Sequence, residues 1–218
     1  MRIASGAVII LLPALLLLLL PPAQAVTVET FVSPDSSFSA LSAFIGSANE
    51  SVLLATYTFT SPEIAALLVS KASDGVSVSV ISDKSPAGGM PESEKSLLCA
   101  LSLGGAAVLL YDGEAPYMHA KYVVRDGKDV LLASENVGYD GFDPAASFGN
   151  RGWGVAVYDA AVASEFSDVF SSDFSLSVPP ECEGADYDAT FRKEKGAYTP
   201  RFAASTYEGQ EVSVVFSP

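Results

Sequence analysis

The sequence predicts an α/β fold: a mixed, largely parallel sheet flanked by helices on both faces. Three observations carry that prediction. From Val26 onward, short runs of β-branched and apolar residues alternate with segments whose apolar residues recur at helical spacing. Most of the strand-like runs are apolar nearly throughout, as in strands covered on both sides. Hydrophobic residues make up 49% of the 218, and charged residues only 17%, which supplies a core and excludes a disordered chain.

Residues 1–25 stand apart from this pattern. Arg2 precedes an almost wholly apolar run ended by Pro21 and Pro22, and Ala23-Gln24-Ala25 then offers a small-x-small cleavage site. The segment reads as a signal peptide. The alternative is an uncleaved anchor, since residues 3–20 are nearly long enough to span a bilayer. Either reading makes the domain exported, secreted or extracytoplasmic.

The elements follow in order. Residues 26–31 alternate as a strand. Phe38, Leu41, Phe44 and Ile45 give a helix over 36–48. A strand over 52–57 leads to Ser61-Pro62-Glu63, a capping residue followed by a proline suited to a first helical turn. That helix runs to Asp74-Gly75. Val76, Val78 and Val80 open the next strand, to Ile81. A helix over 91–103 is closed by Gly104-Gly105, and 106–110 is a short buried strand. The rhythm then changes. Strands over 118–125 and 129–134 flank Asp126-Gly127, a hairpin turn signal. A glycine-rich loop precedes a strand over 153–158, and Val162, Phe166, Val169 and Phe170 mark a closing helix. The domain therefore spans 26–175. Residues 176–218 read as a linker or extension whose last seven residues echo 28–34, as the first strand of a second repeat would.

Charge and composition narrow the function. The formal net charge is −14, from 12 Lys and Arg against 26 Asp and Glu, so a broad phosphate-tracking surface is excluded while a local cationic site is not. One histidine and two cysteines exclude a His- or Cys-rich metal site, and no cofactor is called for. In an exported protein Cys99 and Cys182 can form a disulfide pinning the tail; a free buried Cys99 beside an incidental Cys182 is the other reading.

The chemistry lies in His119-Ala-Lys121, Asp126 and Ser134-Glu135-Asn136. With Arg125 facing Lys128 across the turn, His119 falls opposite Ser134. His119, Lys121, Ser134 and Asn136 then share one face, and Glu135 points away. A two-residue slip would keep that face. An ammonium, an amide and a hydroxyl suit phosphate oxygens, and an imidazole can act as nucleophile near neutral pH. The set reads as phosphoryl transfer. Tyr57 and Trp153 read as packing residues first, and Arg151, in the glycine-rich loop, as a substrate contact.

The spacing His-x-Lys-x4-Asp-x6-(Gly)-Ser-x-Asn resembles the signature of the phospholipase D superfamily, with Ala133 where glycine is usual. The run from Ala55 to Ala65, the stretch from Asp74 to Asp83, and Asn150-Arg-Gly-Trp-Gly-Val155 resemble its neighbouring segments. Many members carry an acidic residue where this chain has Gly152. The resemblance implies a phospholipase D-like sandwich. It implies that His119 attacks phosphorus, that Lys121 and Asn136 hold its oxygens, and that Ser134 supports the same cradle. Asp126 either orients the site or only builds the turn. The substrate is a phosphodiester of phospholipid or nucleic acid, cleaved without metal. The family chemistry uses two histidines, so a homodimer or a second motif-bearing half is expected as partner, with membrane proximity if the N-terminal segment anchors the chain. A non-catalytic phosphate-binding or assembly module, or an inactive half of a two-motif enzyme, is the alternative.

Overall fold

The computed structural model describes residues 26–183 and 196–216; the segment 1–25 and its cleavage-or-anchor reading lie outside the described residues. The described chain forms β1 (Val26–Ser33), α1 (Ser37–Gly46), β2 (Ser51–Thr56), α2 (Pro62–Ser73), β3 (Ser77–Asp83), α3 (Glu92–Leu103) and β4 (Ala107–Tyr111). There follow β5 (Lys121–Arg125), β6 (Asp129–Ala133), β7 (Gly152–Tyr158), α4 (Ala160–Ser175), β8 (Ser177–Val178) and β9 (Ser205–Gln210). They build one nine-stranded open sheet in the order β8-β4-β3-β2-β5-β6-β7-β1-β9.

The sheet is mixed, as predicted, but parallel pairing is confined to β2, β3 and β4. The other neighbours run antiparallel. The expected parallel majority fails because β1 does not join β2. It crosses to the far side of the hairpin and pairs with β7, Thr27 opposite Tyr158 through Ser33 opposite Gly152.

Both faces are covered. Leu41, Phe44 and Ile45 of α1, Ile64 and Leu68 of α2, and Leu97, Leu98 and Leu101 of α3 pack with Val52, Leu54, Val78, Val80 and Leu131. Phe166 and Phe170 of α4 pack with Ile81, Val124, Val130 and Val157 on the opposite face. Burial of about 1.5–3 kcal/mol for each large apolar side chain drives both layers. The α2 start is as read: Ser61 Oγ accepts from Ile64 N at 3.3 Å, with Pro62 as first helical residue.

Cys99 in α3 is bonded to Cys182, Cα to Cα 5.5 Å, so the segment after β8 is tied to the helix layer. The extension is not only a linker: β9 adds an edge strand to β1, with Thr30 opposite Ser205. Residues 211–216 continue past it without regular structure, and Phe216 sets its ring 5.0 Å from Phe166.

Candidate active site

The loop entering β5 carries the histidine. Met118 is buried, and its N–H donates to Asp83 Oδ2 at 2.6 Å; Asp83, at the end of β3, is itself buried and also accepts from Ser85 N at 2.7 Å. This fixes the backbone next to His119. The imidazole stands against the Tyr57 ring, centroids 4.7 Å apart. Tyr57 also meets Tyr117 edge-on at 5.9 Å, and Lys121 Nζ lies 5.5 Å from its centroid. Tyr57 is therefore a wall of the site, not a core residue. Its position after β2, whose Thr56 pairs with Lys121, brings it there.

Lys121 Nζ donates to the His119 carbonyl at 2.7 Å. Burial pulls the Lys121 pKa down to about 8, against an opposing pull from the Glu135 carboxylate. Burial and the Lys121 charge also lower the His119 pKa, and Asp83 opposes them. A neutral imidazole with a free lone pair is thus favoured at neutral pH, as a nucleophile requires.

Asn136 is brought in by its neighbour. Val137 N donates to Thr56 Oγ1 at 3.2 Å, and Val137 bridges Phe59. Asn136 Oδ1 is buried and accepts no hydrogen bond. Ser134 N donates to Trp153 O, and Trp153 N donates back to Ser134 Oγ at 3.0 Å, so the hydroxyl is held at the start of β7. Beside this group lies a polar hollow of about 310 Å³ lined by Thr58, Thr60, Ser93, Glu135, Asn136 and Asn150, among others. His119, Lys121, Ser134 and Asn136 thus gather at one end of the sheet.

They do so by a different route from the one the hairpin count gave. Arg125 pairs with Asp129, not Lys128, because Asp126 and Gly127 both take left-handed backbone (φ 54° and 61°) in a three-residue turn. The register moves by one residue. Tyr122 faces Leu132, so Lys121 falls level with Ala133, and alternation puts Glu135 on the Lys121 side. β6 ends at Ala133, and Ser134 and Glu135 lie in a bend, so the strict alternation of the strand stops there. Glu135 does not point away. Its Oε1 accepts from Ser134 Oγ at 3.3 Å.

Asp126 is not brought to the site. It sits at the far end of β5, five residues beyond Lys121, about 17 Å along a strand. Its carboxylate accepts from Asn49, Glu50 and Ser51 N–H at 2.8–3.1 Å and closes the α1–β2 connection. Burial works against its charge, but those N–H groups outweigh it and hold the carboxyl below the usual range. Arg151 is also engaged elsewhere: Nη1 donates to Ser33 O and pairs with Asp35, and Nη2 donates to Tyr198 OH at 2.7 Å. Trp153 is no core residue either. It is 68% exposed, on the face of Val155 and Val157 where α4 leaves the sheet end open.

Sequence reasoning missed two carboxylates beneath the site. Asp83 is one. Glu94 is the other, fully buried, accepting from Phe59 N at 2.7 Å and Ser82 Oγ at 2.9 Å. Burial raises its pKa to about 7, with Phe59 N–H and Ser82 lowering it and Asp83 adding to the rise. Asp83, at the carboxyl end of a parallel strand, carried a positional signal; Glu94, in an ordinary-looking helix, carried none.

Solved structures share this architecture. Nuc, a phospholipase D family member from Salmonella typhimurium, superposes with TM-score 0.59 at 24% identity, covering 69% of this chain and 95% of that one. NucT from Helicobacter pylori gives TM-score 0.57 at 24% identity, over 70% and 98%. Phosphatidylserine synthase from Haemophilus influenzae gives 0.54 at 16% identity, over 70% of this chain and 39% of that one. Comparison with curated proteins gives no significant match. The family model described as "Cardiolipin synthase, PLD-like domain" matches residues 41–174, which holds both core layers and every residue of the phosphate-suited group, and the chain belongs to that phospholipase D-like family.

Proposed function

We propose that the protein is an exported, metal-independent phosphodiester hydrolase of phospholipase D type. One observation carries this reading: the single histidine, its imidazole kept neutral, stands beside Lys121 at a sheet end that also holds Ser134 and Asn136. A His119 ring nitrogen attacks phosphorus, the bond from phosphorus to the leaving oxygen breaks, and that oxygen takes a proton from an acid. Water then gives a proton to the conjugate base of that acid and attacks phosphorus, the bond from phosphorus to the His119 nitrogen breaks, and a phosphomonoester and the neutral imidazole are released. Lys121 and Asn136 hold the phosphate oxygens as charge moves onto them, with Ser134 in support.

The chain has one histidine, so the acid comes from a second copy across a two-fold axis or from a second motif-bearing half. The substrate is a phospholipid or nucleic-acid phosphodiester. A net charge of −14 slows approach to polyanions at low salt, and DNA and anionic membranes are disfavoured alike. Turnover of bis(p-nitrophenyl) phosphate in EDTA, lost in His119→Ala, tests the reaction. Phosphatidylcholine vesicles and plasmid DNA then separate the substrates. A correctly assembled protein with no turnover at any pH would make the domain a phosphate-binding module instead. Light scattering over a dilution series, with mixing of His119→Ala and wild type, tests the second histidine: a strictly monomeric protein of full specific activity overturns it.

A further inference from the structure

Glu135 fills the space that a side chain at position 152 would need. A Cβ on Gly152 would lie 2.5 Å from Glu135 Oε1, 2.6 Å from its Cγ and 2.7 Å from Ser134 Oγ. A Cβ on Gly141 would lie 2.5 Å from Glu135 Cβ. Two glycines on separate segments thus leave a notch that this side chain occupies. Inside it, Oε1 accepts from Ser134 Oγ and Oε2 accepts from Asn150 Nδ2 at 3.4 Å. The one-residue register of the β5–β6 hairpin turns it toward Lys121.

We propose that Glu135 is a positioning residue of the phosphate site, seated in the Gly141–Gly152 notch, where its carboxylate faces the Lys121 side of the hairpin and holds the Ser134 hydroxyl. This rests on the phosphoryl-transfer reading of the same site. A carboxylate is an unexpected neighbour for a bound phosphate, since it repels it. It is useful here because Lys121 is half-buried, and burial alone favours loss of its proton. The other ionisable groups at the site are His119 on the loop before β5, Tyr57 and Tyr117 beside it, Asp83 at the end of β3, Glu94 of α3 beneath, and Tyr139 and Asp140, which line the same hollow as Glu135. Asp83 sits behind Met118 and acts on His119. Glu135 is the carboxylate that acts on Lys121. It makes no direct ion pair with Lys121, so the lysine stays free to turn to a phosphate oxygen.

Calorimetric binding of inorganic phosphate from pH 6 to 9.5, beside bis(p-nitrophenyl) phosphate turnover, tests this in wild type, Glu135→Gln, Gly152→Ala, Glu135→Ala and Glu135→Ala/Gly152→Ala. Removing the carboxylate lowers the Lys121 pKa. The alkaline loss of binding should move down by about one pH unit in Glu135→Gln, roughly a tenfold weaker affinity near pH 8.5, with binding at pH 6 unchanged or tighter. Gly152→Ala should shift the limb the same way in wild type and add nothing in the Glu135→Ala background. An unchanged alkaline limb in folded Glu135→Gln overturns the proposal, as does an equal effect of Gly152→Ala in both backgrounds. If Gly152→Ala fails to fold, the isosteric Glu135→Gln limb decides. Wild type that neither binds phosphate nor turns over the diester overturns the underlying reading and this one together. That result is distinct from a working wild type with unshifted variants.

Discussion

Replacing Lys121 by methionine keeps the length and packing of the side chain and removes its charge. A charge about 4 Å from a developing negative oxygen, at an effective dielectric near 20, is worth on the order of 4 kcal/mol. Lys121 is only half-buried, and water screens part of that. Loss of one preorganised donor elsewhere costs about 10²–10³ in kcat, and the lower part of this range suits a half-buried site. Stability should move the other way. The folded-state pKa of Lys121, about 8, lies below the 10.5 of an unperturbed lysine. The fold therefore disfavours the charged form, and wild-type stability rises as pH climbs through the window from 8 to 10.5. Removing the charge should leave the neutral-pH Tm unchanged or slightly raised. The assay is diester turnover with kcat and KM separated, alongside thermal melts. A kcat loss of roughly 10²-fold or more with no fall in Tm fits. Near wild-type kcat would remove Lys121 from the site, and a lost kcat with a Tm many degrees lower would make its role structural.

Three further outcomes are expected. Asp126→Ala leaves the Asn49, Glu50 and Ser51 N–H groups without their acceptor, so urea melts should show about 1–3 kcal/mol lost while kcat at 25 °C stays within about threefold of wild type; a large kcat loss at unchanged stability would restore Asp126 to the chemistry. Cys182→Ala opens a link spanning 83 residues, for which chain entropy gives up to about 4.5 kcal/mol, so the urea midpoint should fall clearly; an unchanged midpoint refutes the tether. Glu94, its folded pKa raised to about 7 from 4.5, binds its proton more tightly in the folded state, so stability should fall as pH rises from 4.5 to 7; Glu94→Gln should flatten that slope in pH-resolved melts, and an identical slope would place its origin elsewhere.

What could be read from the sequence was the local chemistry. His119, Lys121, Ser134 and Asn136 were legible because a strand end on each side of one hairpin carries them, and short spacing encodes their proximity. The direction of Glu135 was not, because it turns on a single residue of register. Asp-Gly suggested a two-residue connection, and only the left-handed backbone at both Asp126 and Gly127 shows that Lys128 belongs to the turn. Elements defined by distant pairing were also hidden. β9 is polar and wholly exposed, and its partner β1 lies some 175 positions away. Arg151, free to meet substrate as far as composition could say, is claimed by Asp35 across 116 positions. The partial parallel sheet has the same cause: alternating strands and helices imply crossovers, and nothing local says that β1 leaves the series.

The topology explains why the site lies where it does. β2 and β3 run parallel and end together, at Thr56 and Asp83, while β5 starts antiparallel to β2 at Lys121. β6 ends and β7 begins at the same edge, Ala133 opposite Gly154, and β1 ends there too, Ser33 opposite Gly152. Each of these strands opens a loop at one edge of the sheet, beside the place where the chain reverses from parallel to antiparallel order, and such a switch leaves a crevice between diverging connections. The buried acids fit that geometry. Asp83 and Glu94 accept backbone N–H groups from the diverging loops, at Met118 and Phe59, donors that no strand pairing can satisfy there. A negatively charged protein thus keeps Lys121 at this end of the sheet, with carboxylates beneath as anchors and one beside it, Glu135, whose charge acts on that lysine. Neutralising the surface acids away from this edge would alter encounter rates and salt dependence, whereas neutralising Glu135 would alter the protonation of the site itself.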